Sequence, residues 1–350
     1  MAQIIPSVLI EGRNVPYLEG EYQNTGGLTA ATLQFKLPLQ YAGYNQLWNK
    51  EVTFFLNESD ATPIFRGYIK RTKETFNNIE VFAQDALGYM VLGGDPEKAK
   101  VALTDKENID GLTAPNAIRK LVQLALLNTK LGTDYIGDTT PSISSSRPPI
   151  RGTLGVLKVV KDLISRAVDN SGSVPRQNIA RLGDDGTVSQ LVIELESDVD
   201  NATIKHVYTE YDNILSLKII NRKVPTVVIV NGKNKVKGTF SHDSAIAAYD
   251  RNYLEITNDS LESPAECRDF AQKLFRANLP LQYEYSMETF EGAHLNENDV
   301  IRIETGDPRF AGNYRVRGKK ITFSPTAFKI GININKKPPT LAEYIVQQDN

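Results

Sequence analysis

A chain of 350 residues predicts two or three domains and is long enough to bury a sizeable core. With 41% hydrophobic and 23% charged residues, the composition is that of a globular protein and excludes a disordered chain. The formal net charge of -2 gives no reason to expect nucleic-acid binding, and the single cysteine, Cys267, excludes an intrachain disulfide framework and fits a reducing cytoplasm. The sequence shows neither a secretory signal nor an apolar run of about 18 residues, so we expect no membrane anchor and no export by that route.

The first region, residues 4–94, has a β pattern throughout. Leu33, Phe35 and Leu37 alternate with polar residues, which is the period of a strand with one solvent-facing side. Further strands are predicted in VTFFL, IFRGYI and NIEVFAQD, and turn-rich pieces separate them. This spacing predicts a small barrel or a sandwich.

The middle of the chain has a helical pattern. Apolar residues at helical spacing predict one helix over residues 113–127 and a second over 153–172, with a polar loop rich in serine and proline between them. β patterns return after Val174, and Asn231-Gly232 is a hairpin turn signal. The second β region therefore follows a helical segment.

A third helix is predicted over residues 263–280. Ser263 and Glu266 form a capping box at its start. Its apolar stripe includes Cys267, which we interpret as a small buried residue. One more strand, FKIGINI, follows.

Residues 49–69 and 296–316 share one pattern. Each segment begins with Asn and an acidic residue, enters an alternating strand, crosses a polar turn and resumes at a Phe with Gly two residues later, at Gly67 and Gly312. The similarity has two interpretations, a duplicated unit or an accidental likeness of two barrel hairpins. If it is a duplication, a trimer would present six similar units in a ring.

No motif for catalysis or metal binding stands out. His206, His242 and His294 have no metal-ligand spacing, and HExxH, phosphate-loop, nucleophile-elbow and CxxC motifs do not occur in the sequence. We therefore expect no catalytic, cofactor-binding or metal site. The basic run GDPRFAGNYRVRGKK is interpreted as a solvated strand face rather than a nucleic-acid groove.

A resemblance extends over most of the chain. It is carried near the start by VPYLEGEYQNTGGLTAATLQFKLP, VTFFL and FRGYIKR, and later by DRNYLEITNDSLESPAECRDFAQKLFRANL, LNENDVIRIE and AGNYRVRGKKITF. In these segments the sequence resembles the tail hub or baseplate hub proteins of tailed bacteriophages, in the late control protein D group. The shared patterns describe fold rather than chemistry.

The resemblance implies an α+β, mainly β fold. It consists of two tube-like β-barrel domains with an inserted mixed α/β domain, arranged as a pseudo-six-fold ring in a trimer. The expected divisions are a first barrel over 1–98, an inserted domain over 99–204 with 241–280, a second barrel over 205–240 with 281–335, and a C-terminal tail over 336–350. One departure is LNENDV, which lacks the Gly often found before this strand in such hubs.

The function implied is that of a non-enzymatic hub in the virion tail or baseplate, assembled in the cytoplasm of a host bacterium. A homotrimer would adapt the six-fold tail tube to the three-fold central spike. Implied partners are other copies of the chain, the tail tube or distal tail protein above, a separate spike protein below, and possible tape-measure and baseplate wedge proteins. Neither a membrane anchor nor sequence-specific nucleic-acid binding is implied.

The C-terminal tail provides the candidate partner contacts. Thr340 and Glu343 can form a capping box, which places Leu341, Tyr344 and Ile345 at helical spacing. We expect this segment to dock on the spike or on a neighbouring subunit; the alternative is a frayed terminus.

Two other functions stay open. One is a tail-tip cell-wall hydrolase. The other is a monomeric carbohydrate- or receptor-binding β protein, in which Tyr41, Tyr44 and Trp48 would line a sugar site.

Overall fold

The computed structural model divides the chain into two compact units. Unit 1 consists of Met1–Ser197, Thr289–Asp299 and Arg317–Ile332, and unit 2 consists of Asp198–Glu288, Val300–Val316 and Asn333–Asn350. The residues that the structure describes are 5–26, 29–41, 46–57, 60–88, 100–103, 116–117, 120, 131–135, 152–155, 168–169, 176–184, 189–221, 225–258, 261–278 and 283–335.

The elements are mainly strands. In chain order they are β1 (Ser7–Ile10), β2 (Arg13–Asn14), β3 (Gly20–Asn24), β4 (Thr32–Pro38), β5 (Glu51–Phe55), β6 (Phe65–Glu74), β7 (Asn78–Asp85), β8 (Lys100–Leu103), β9 (Leu131–Tyr135), β10 (Gly152–Gly155), β11 (Val168–Asp169), β12 (Arg176–Asp184), β13 (Ser189–Leu195), β14 (Ile204–Thr209), β15 (Ile214–Asn221), β16 (Val227–Asn231), β17 (Lys237–Ser241), α1 (Asp243–Tyr249), β18 (Tyr253–Thr257), α2 (Pro264–Asn278), β19 (Tyr283–Thr289), β20 (Val300–Glu304), β21 (Gly312–Phe323) and β22 (Phe328–Asn335).

Unit 1 is built on one large sheet with the strand order β2-β1-β5-β6-β7-β4-β3-β21-β22. The neighbouring strands from β2 through to β21 pair antiparallel. In β4 the side chains of Leu33, Phe35 and Leu37 are buried while their neighbours face outward, because successive side chains of a strand point to opposite faces. The predicted β character of the first region is confirmed for its described residues up to Asp85, whereas residues 86–88 are helical.

The helices predicted in the middle of the chain lie mostly outside the described residues. Residues 116, 117 and 120 of the first helix are helical. Both ends of the second predicted helix are strands instead, β10 and β11, so its predicted bounds are wrong there. Gly152 and Gly155 disfavour a helix, and β10 gains an antiparallel partner in β8. A four-stranded sheet, β11-β12-β13-β9, completes this part of unit 1.

Unit 2 contains a small α/β layer. Strands β17, β16 and β18 form a three-stranded sheet, and α2 packs on it through Cys267, Ala271 and Phe275. The predicted capping box is confirmed, since Glu266 N–H donates to Ser263 Oγ at 3.2 Å and Ser263 N–H donates to Glu266 Oε2 at 3.1 Å. The prediction that Cys267 is buried is also confirmed.

The turn signal at Asn231-Gly232 identified a real hairpin of β16 and β17. The connection is longer than a two-residue turn, because the 3₁₀ turn Lys233–Lys235 follows Gly232 before β17 begins. Elsewhere in unit 2, β14 pairs in parallel with β20, β20 pairs antiparallel with the first residues of β21, and β15 neighbours β19.

The repeated hairpin is present, but the residues aligned from the sequence are not equivalent. Val52 of β5 lies opposite Gly67 of β6, whereas Val300 of β20 lies opposite Arg315, and Gly312 pairs with Ile303. The Phe-x-Gly similarity therefore does not mark a common register.

The two hairpins are alike in the backbone conformation just before their first strand. Asn49 and Asn298 each adopt a positive φ, 63° and 77°, two residues before the strand begins. Asparagine tolerates this left-handed conformation better than most residues. Both hairpins therefore enter their first strand through a left-handed asparagine.

Candidate interaction surfaces

The sequence-predicted contact residues Leu341, Tyr344 and Ile345 lie outside the described residues, as does Tyr44 of the suggested sugar site. Of the other two aromatics in that suggestion, Trp48 is exposed and Tyr41 is partly buried.

The histidines lie in separate structural settings. The ring of His206 lies 4.4 Å from that of Tyr208, and His242 caps α1 by accepting a hydrogen bond from Ala245 N–H. His294 lies in the connection between β19 and β20. The described residues contain no group of three or more His, Cys, Asp or Glu side chains arranged to hold a metal ion.

Two hairpins of the large sheet end in the same kind of four-residue turn. Between β6 and β7, Thr75 N–H donates to the carbonyl oxygen of Asn78 at 2.8 Å, and Asn78 N–H donates back to Thr75 Oγ1 at 3.2 Å. Between β21 and β22, Ser324 N–H donates to Ala327 O at 2.7 Å, and Ala327 N–H donates to Ser324 Oγ at 3.1 Å. Each turn is thus braced, that is, closed by a side-chain hydroxyl group that accepts a backbone N–H.

The two turns lie at one end of the sheet, on either side of β3 and β4. Phe323, which precedes the second turn, pairs with Gly20 at the start of β3. Pro38, at the end of β4, pairs with Asn78 of the first turn. The ends of these six strands therefore form a continuous edge of unit 1.

This edge carries exposed apolar side chains from four separate parts of the sequence. Phe76 at the first turn is 95% exposed, and Leu18, Leu39 and Phe290 are also exposed. Phe290 packs edge-on against Phe328, the first residue of β22, at 6.4 Å between ring centroids. We call the set Leu18, Leu39, Phe76 and Phe290 the apolar edge.

A groove of about 710 Å³ lies next to the apolar edge within unit 1. Phe82, Phe290 and Phe328 contribute aromatic surface to it, while Arg71, Lys329 and other charged residues provide its polar lining. The Arg71 guanidinium lies 5.6 Å from the centre of the Phe82 ring, a cation–π distance.

The charges around the edge are paired within the chain. Lys36 Nζ lies 2.6 Å from Glu19, Lys320 Nζ lies 2.8 Å from Glu21, and Lys73 lies 3.9 Å from Glu80. Contact with Glu19 raises the pKa of Lys36. Because positive and negative groups alternate, this end of unit 1 does not present a uniform field to a polyanion.

Unit 2 has its own exposed apolar feature at the turn between β14 and β15. Tyr211 is 97% exposed, and Val207 and Leu215 are exposed on either side of it. Asn213 holds the turn, since its Oδ1 accepts from Thr209 N–H at 2.8 Å and its Nδ2 donates to Val207 O at 3.3 Å. We call Val207, Tyr211 and Leu215 the knuckle.

A carboxyl group and an ammonium group that are buried in unit 1 have strongly shifted pKa values. The Asp85 carboxylate accepts hydrogen bonds from the N–H groups of Ala31, Leu87 and Gly88, yet burial outweighs them and raises the pKa of Asp85 to about 7. Burial likewise lowers the pKa of Lys319 to about 8, and its ammonium donates to two backbone carbonyl oxygens.

The basic run around β21 is more varied than the solvated face that the sequence predicted. Lys319 and Arg315 are buried, while Arg309 pairs with Asp307 at 2.6 Å and Arg317 with Glu196 at 3.0 Å. Alternation alone does not predict such burial, because the chemical type of these residues suggests exposure.

Structural comparison finds this fold in tail proteins. The tail protein from Neisseria meningitidis MC58 aligns with a TM-score of 0.67 and 11% identity, over 96% of this chain and 97% of that chain. The 43 kDa tail protein of prophage MuSo2 from Shewanella oneidensis aligns with a TM-score of 0.66 and 10% identity, over 96% and 97%.

A third similar structure is the E. coli c3393 protein, a component of the type VI secretion system that is structurally similar to the T4 bacteriophage tail proteins gp27 and gp5. It aligns with a TM-score of 0.55 and 11% identity, over 93% of this chain and 76% of that chain. At these identities the likeness shows the fold.

No protein-family model matches the sequence. No curated protein matches it either. Among the described residues, no helix is both long and apolar enough to cross a bilayer. The described part of the chain is mainly β with few helices, and the chain shares its fold with phage tail proteins.

Proposed function

We propose that this chain is the structural hub of a phage tail or baseplate, a homotrimer that adapts the six-fold tail tube to the three-fold central spike. The observation that carries the proposal is the common fold with two tail proteins over nearly the whole of each chain. The exposed apolar edge and knuckle support it, since exposed apolar clusters mark protein interfaces.

The proposal includes a specific organisation. Two tube-like barrels and an inserted domain, at the boundaries expected from the sequence, would form six similar lobes in a trimer. The partners would be the tail tube or distal tail protein above and a separate spike protein below, with further contacts to tape-measure and baseplate wedge proteins. The site of action would be the virion tail, after assembly in the host cytoplasm.

The proposed role is non-enzymatic. Its support is the fold shared with tail proteins and a surface whose distinctive groups are apolar. Incubation of the purified chain with peptidoglycan should leave the polymer intact, and release of soluble fragments would favour the hydrolase alternative.

The tail after Lys337 belongs to the same proposal. Leu341, Tyr344 and Ile345 would dock on the spike or on a neighbouring copy. Removing residues 338–350 should weaken trimer or spike binding, measured by solution mass and by co-purification with the spike. Unchanged assembly would rule out this role for the tail.

The first experiment is electron microscopy of the purified chain, with the solution mass measured on the same sample. We expect a three-fold ring with a central opening and six similar peripheral lobes. A monomer at high concentration, without ring particles, would contradict the trimer and favour the monomeric binding-protein alternative.

A further inference from the structure

We propose that the hairpin of β12 and β13 is a movable strap that one clasp holds against the large sheet. The clasp is the contact between Arg66 of β6 and Asp184, which lies at the free end of the hairpin, where β12 leads into β13. The strap would swing about its base, where β13 ends at Leu195. This inference concerns movement within unit 1 and goes beyond the proposed role as a hub.

The clasp joins two strands that are far apart in the sequence. Arg66 Nε donates to Asp184 Oδ2 at 2.6 Å, and its Nη2 donates to Oδ1 of the same carboxylate at 3.4 Å. Both side chains are mostly buried. A guanidinium that meets a carboxylate through two nitrogens fixes the orientation of its partner as well as its position. The clasp therefore places the free end of the strap on β6.

The base of the strap is fastened in another way. Arg317 of β21 donates to Glu196 Oε1 at 3.0 Å, and the backbone N–H of Ser197 donates to Asn298 Oδ1 at 2.7 Å. The second contact holds the main chain itself, at the point where the polypeptide leaves the strap. Because the main chain is held at the base and a side chain is held at the free end, the base is the natural hinge.

The separation of the two fastenings matches the length of the strap. From Asn178, opposite Leu195, to Asp184, opposite Ser189, β12 covers about 20 Å at about 3.4 Å per residue. Strands β7, β4 and β3 lie between β6 and β21, so these two strands are about 19 Å apart along the sheet. The strap is thus long enough to reach from β21 to β6.

Opening of the clasp would leave an ion pair on each side. On the large sheet, Glu51 Oε1 of β5 accepts from Arg66 Nη1 at 2.9 Å. Within the strap, Arg181 Nε donates to Glu194 Oε1 at 2.9 Å. Asp184 would exchange the guanidinium for water. Because the burial of both charges offsets much of their attraction, the clasp favours the closed state by a modest margin and suits a reversible contact.

In the closed state the strap would cover Thr53. Thr53 lies opposite Arg66 in the β5–β6 pair, so both side chains are on one face of the sheet. Val52 and Phe54 point to the other face. Thr53 is nevertheless only 8% exposed, so both faces of β5 are covered. The clasp brings the free end of the strap to the face on which Thr53 lies.

The test is thiol labelling of a Thr53→Cys variant of the full chain. Native Cys267 is the internal control, because it is buried in unit 2. Adding Asp184→Asn should speed labelling at position 53 about tenfold, since the amide accepts a weaker hydrogen bond from the guanidinium. The rate at Cys267 should not change. An unchanged rate at position 53 would overturn the clasp, and equal acceleration at both thiols would show a loss of overall stability and overturn the movable strap.

Glu194→Gln is the matched control for Asp184→Asn. It removes a carboxylate that is also mostly buried and also paired with an arginine, but within the strap. It should leave the labelling rate at position 53 unchanged. If it speeds labelling as much as Asp184→Asn does, the Arg66 contact has no special role and the inference fails.

Two further measurements use the Thr53→Cys chain with Asp184 intact. Added salt should speed labelling at position 53 and not at Cys267, because it weakens the ion pair of the clasp. Dilute urea should change the rate at position 53 little, since a local opening exposes little surface. A rate that does not respond to salt, or one that rises with urea as the rate at Cys267 does, would overturn the inference.

Discussion

The two braced hairpins of the large sheet, β6–β7 and β21–β22, share a backbone design and differ in what they present. Both turn through four residues closed by a hydroxyl group, Thr75 in one and Ser324 in the other. At the tip, the first exposes Phe76 and the second carries Pro325. Seven residues beyond the turn, the returning strand buries Asp85 in the first hairpin and Ile334 in the second.

In these two hairpins the backbone geometry and the surface chemistry vary independently. The backbone feature depends on one hydroxyl and a pair of hydrogen bonds, which many sequences can supply. The residue at the tip and the buried residue beyond the turn differ in chemical type between the two hairpins. The same turn backbone thus carries different side chains in the two hairpins.

The largest expected effect concerns Asp85, where the two hairpins differ most. Because burial raises its pKa from 3.8 to about 7, the folded protein retains a proton that the unfolded chain has released between those pH values. The free energy of unfolding should therefore fall by several kcal/mol as pH rises from about 4 to 7, since one pKa unit corresponds to about 1.4 kcal/mol.

Urea unfolding at a series of pH values would measure this dependence. In Asp85→Asn, which cannot ionise, the fall over this window should be reduced by the Asp85 contribution. An identical pH profile in the variant would show that Asp85 titrates normally. Asp200→Asn provides a control at an exposed carboxylate.

The second-largest loss of stability is expected at a glycine in the strand that leads into each turn. A methyl group at Gly67 would overlap the carbonyl oxygen of Gln84, and one at Gly318 would lie 2.5 Å from the carbonyl oxygen of Asn24. Each Gly→Ala change should lower the free energy of unfolding by about 3 kcal/mol, because backbone atoms must shift.

Gly331→Ala is the matched control for these two variants. The nearest atom to its added methyl group lies 3.8 Å away, which is ordinary contact. We expect this change to be neutral or to stabilise by about 0.5 kcal/mol, since glycine is unfavourable within a strand. Equal losses in all three variants, measured by urea unfolding, would contradict the close approach at Gly67 and Gly318.

Local patterns could be predicted from the sequence, whereas strand register could not. The strand pattern of Leu33, Phe35 and Leu37 and the capping box of Ser263 and Glu266 follow from local periodicity and spacing, and both were confirmed. The Phe-x-Gly alignment failed because strand register depends on pairing with a distant strand.

The apolar edge was missed for a related reason. Leu18, Leu39, Phe76 and Phe290 are each unremarkable in sequence, and only strand pairing brings them to one end of the sheet. The one weak signal was Phe76 in the polar turn TFNN, where an aromatic residue has no local packing role. Tyr211 in the turn EYDN is the corresponding signal in unit 2.

A smaller effect is expected from the braces themselves. Thr75→Val and Ser324→Ala each remove one hydroxyl that accepts a backbone N–H, so each should lower the free energy of unfolding by about 1 kcal/mol. Urea unfolding of the two variants should give similar losses. A loss in one variant alone would show that the turns are not equivalent in energy.

The smallest effect on folding, and the sharpest contrast between the hairpins, is expected at Phe76. Its side chain is almost fully exposed, so Phe76→Ser should change the free energy of unfolding of the monomeric chain by no more than about 0.5 kcal/mol. If Phe76 anchors a subunit contact, the same change should shift the trimer–monomer equilibrium toward monomer. Sedimentation over a concentration series would measure that shift, with Tyr253→Ser as the exposed-aromatic control. A destabilised monomer would instead place Phe76 in the fold of its own chain, and an unchanged trimer would separate the braced tip from assembly.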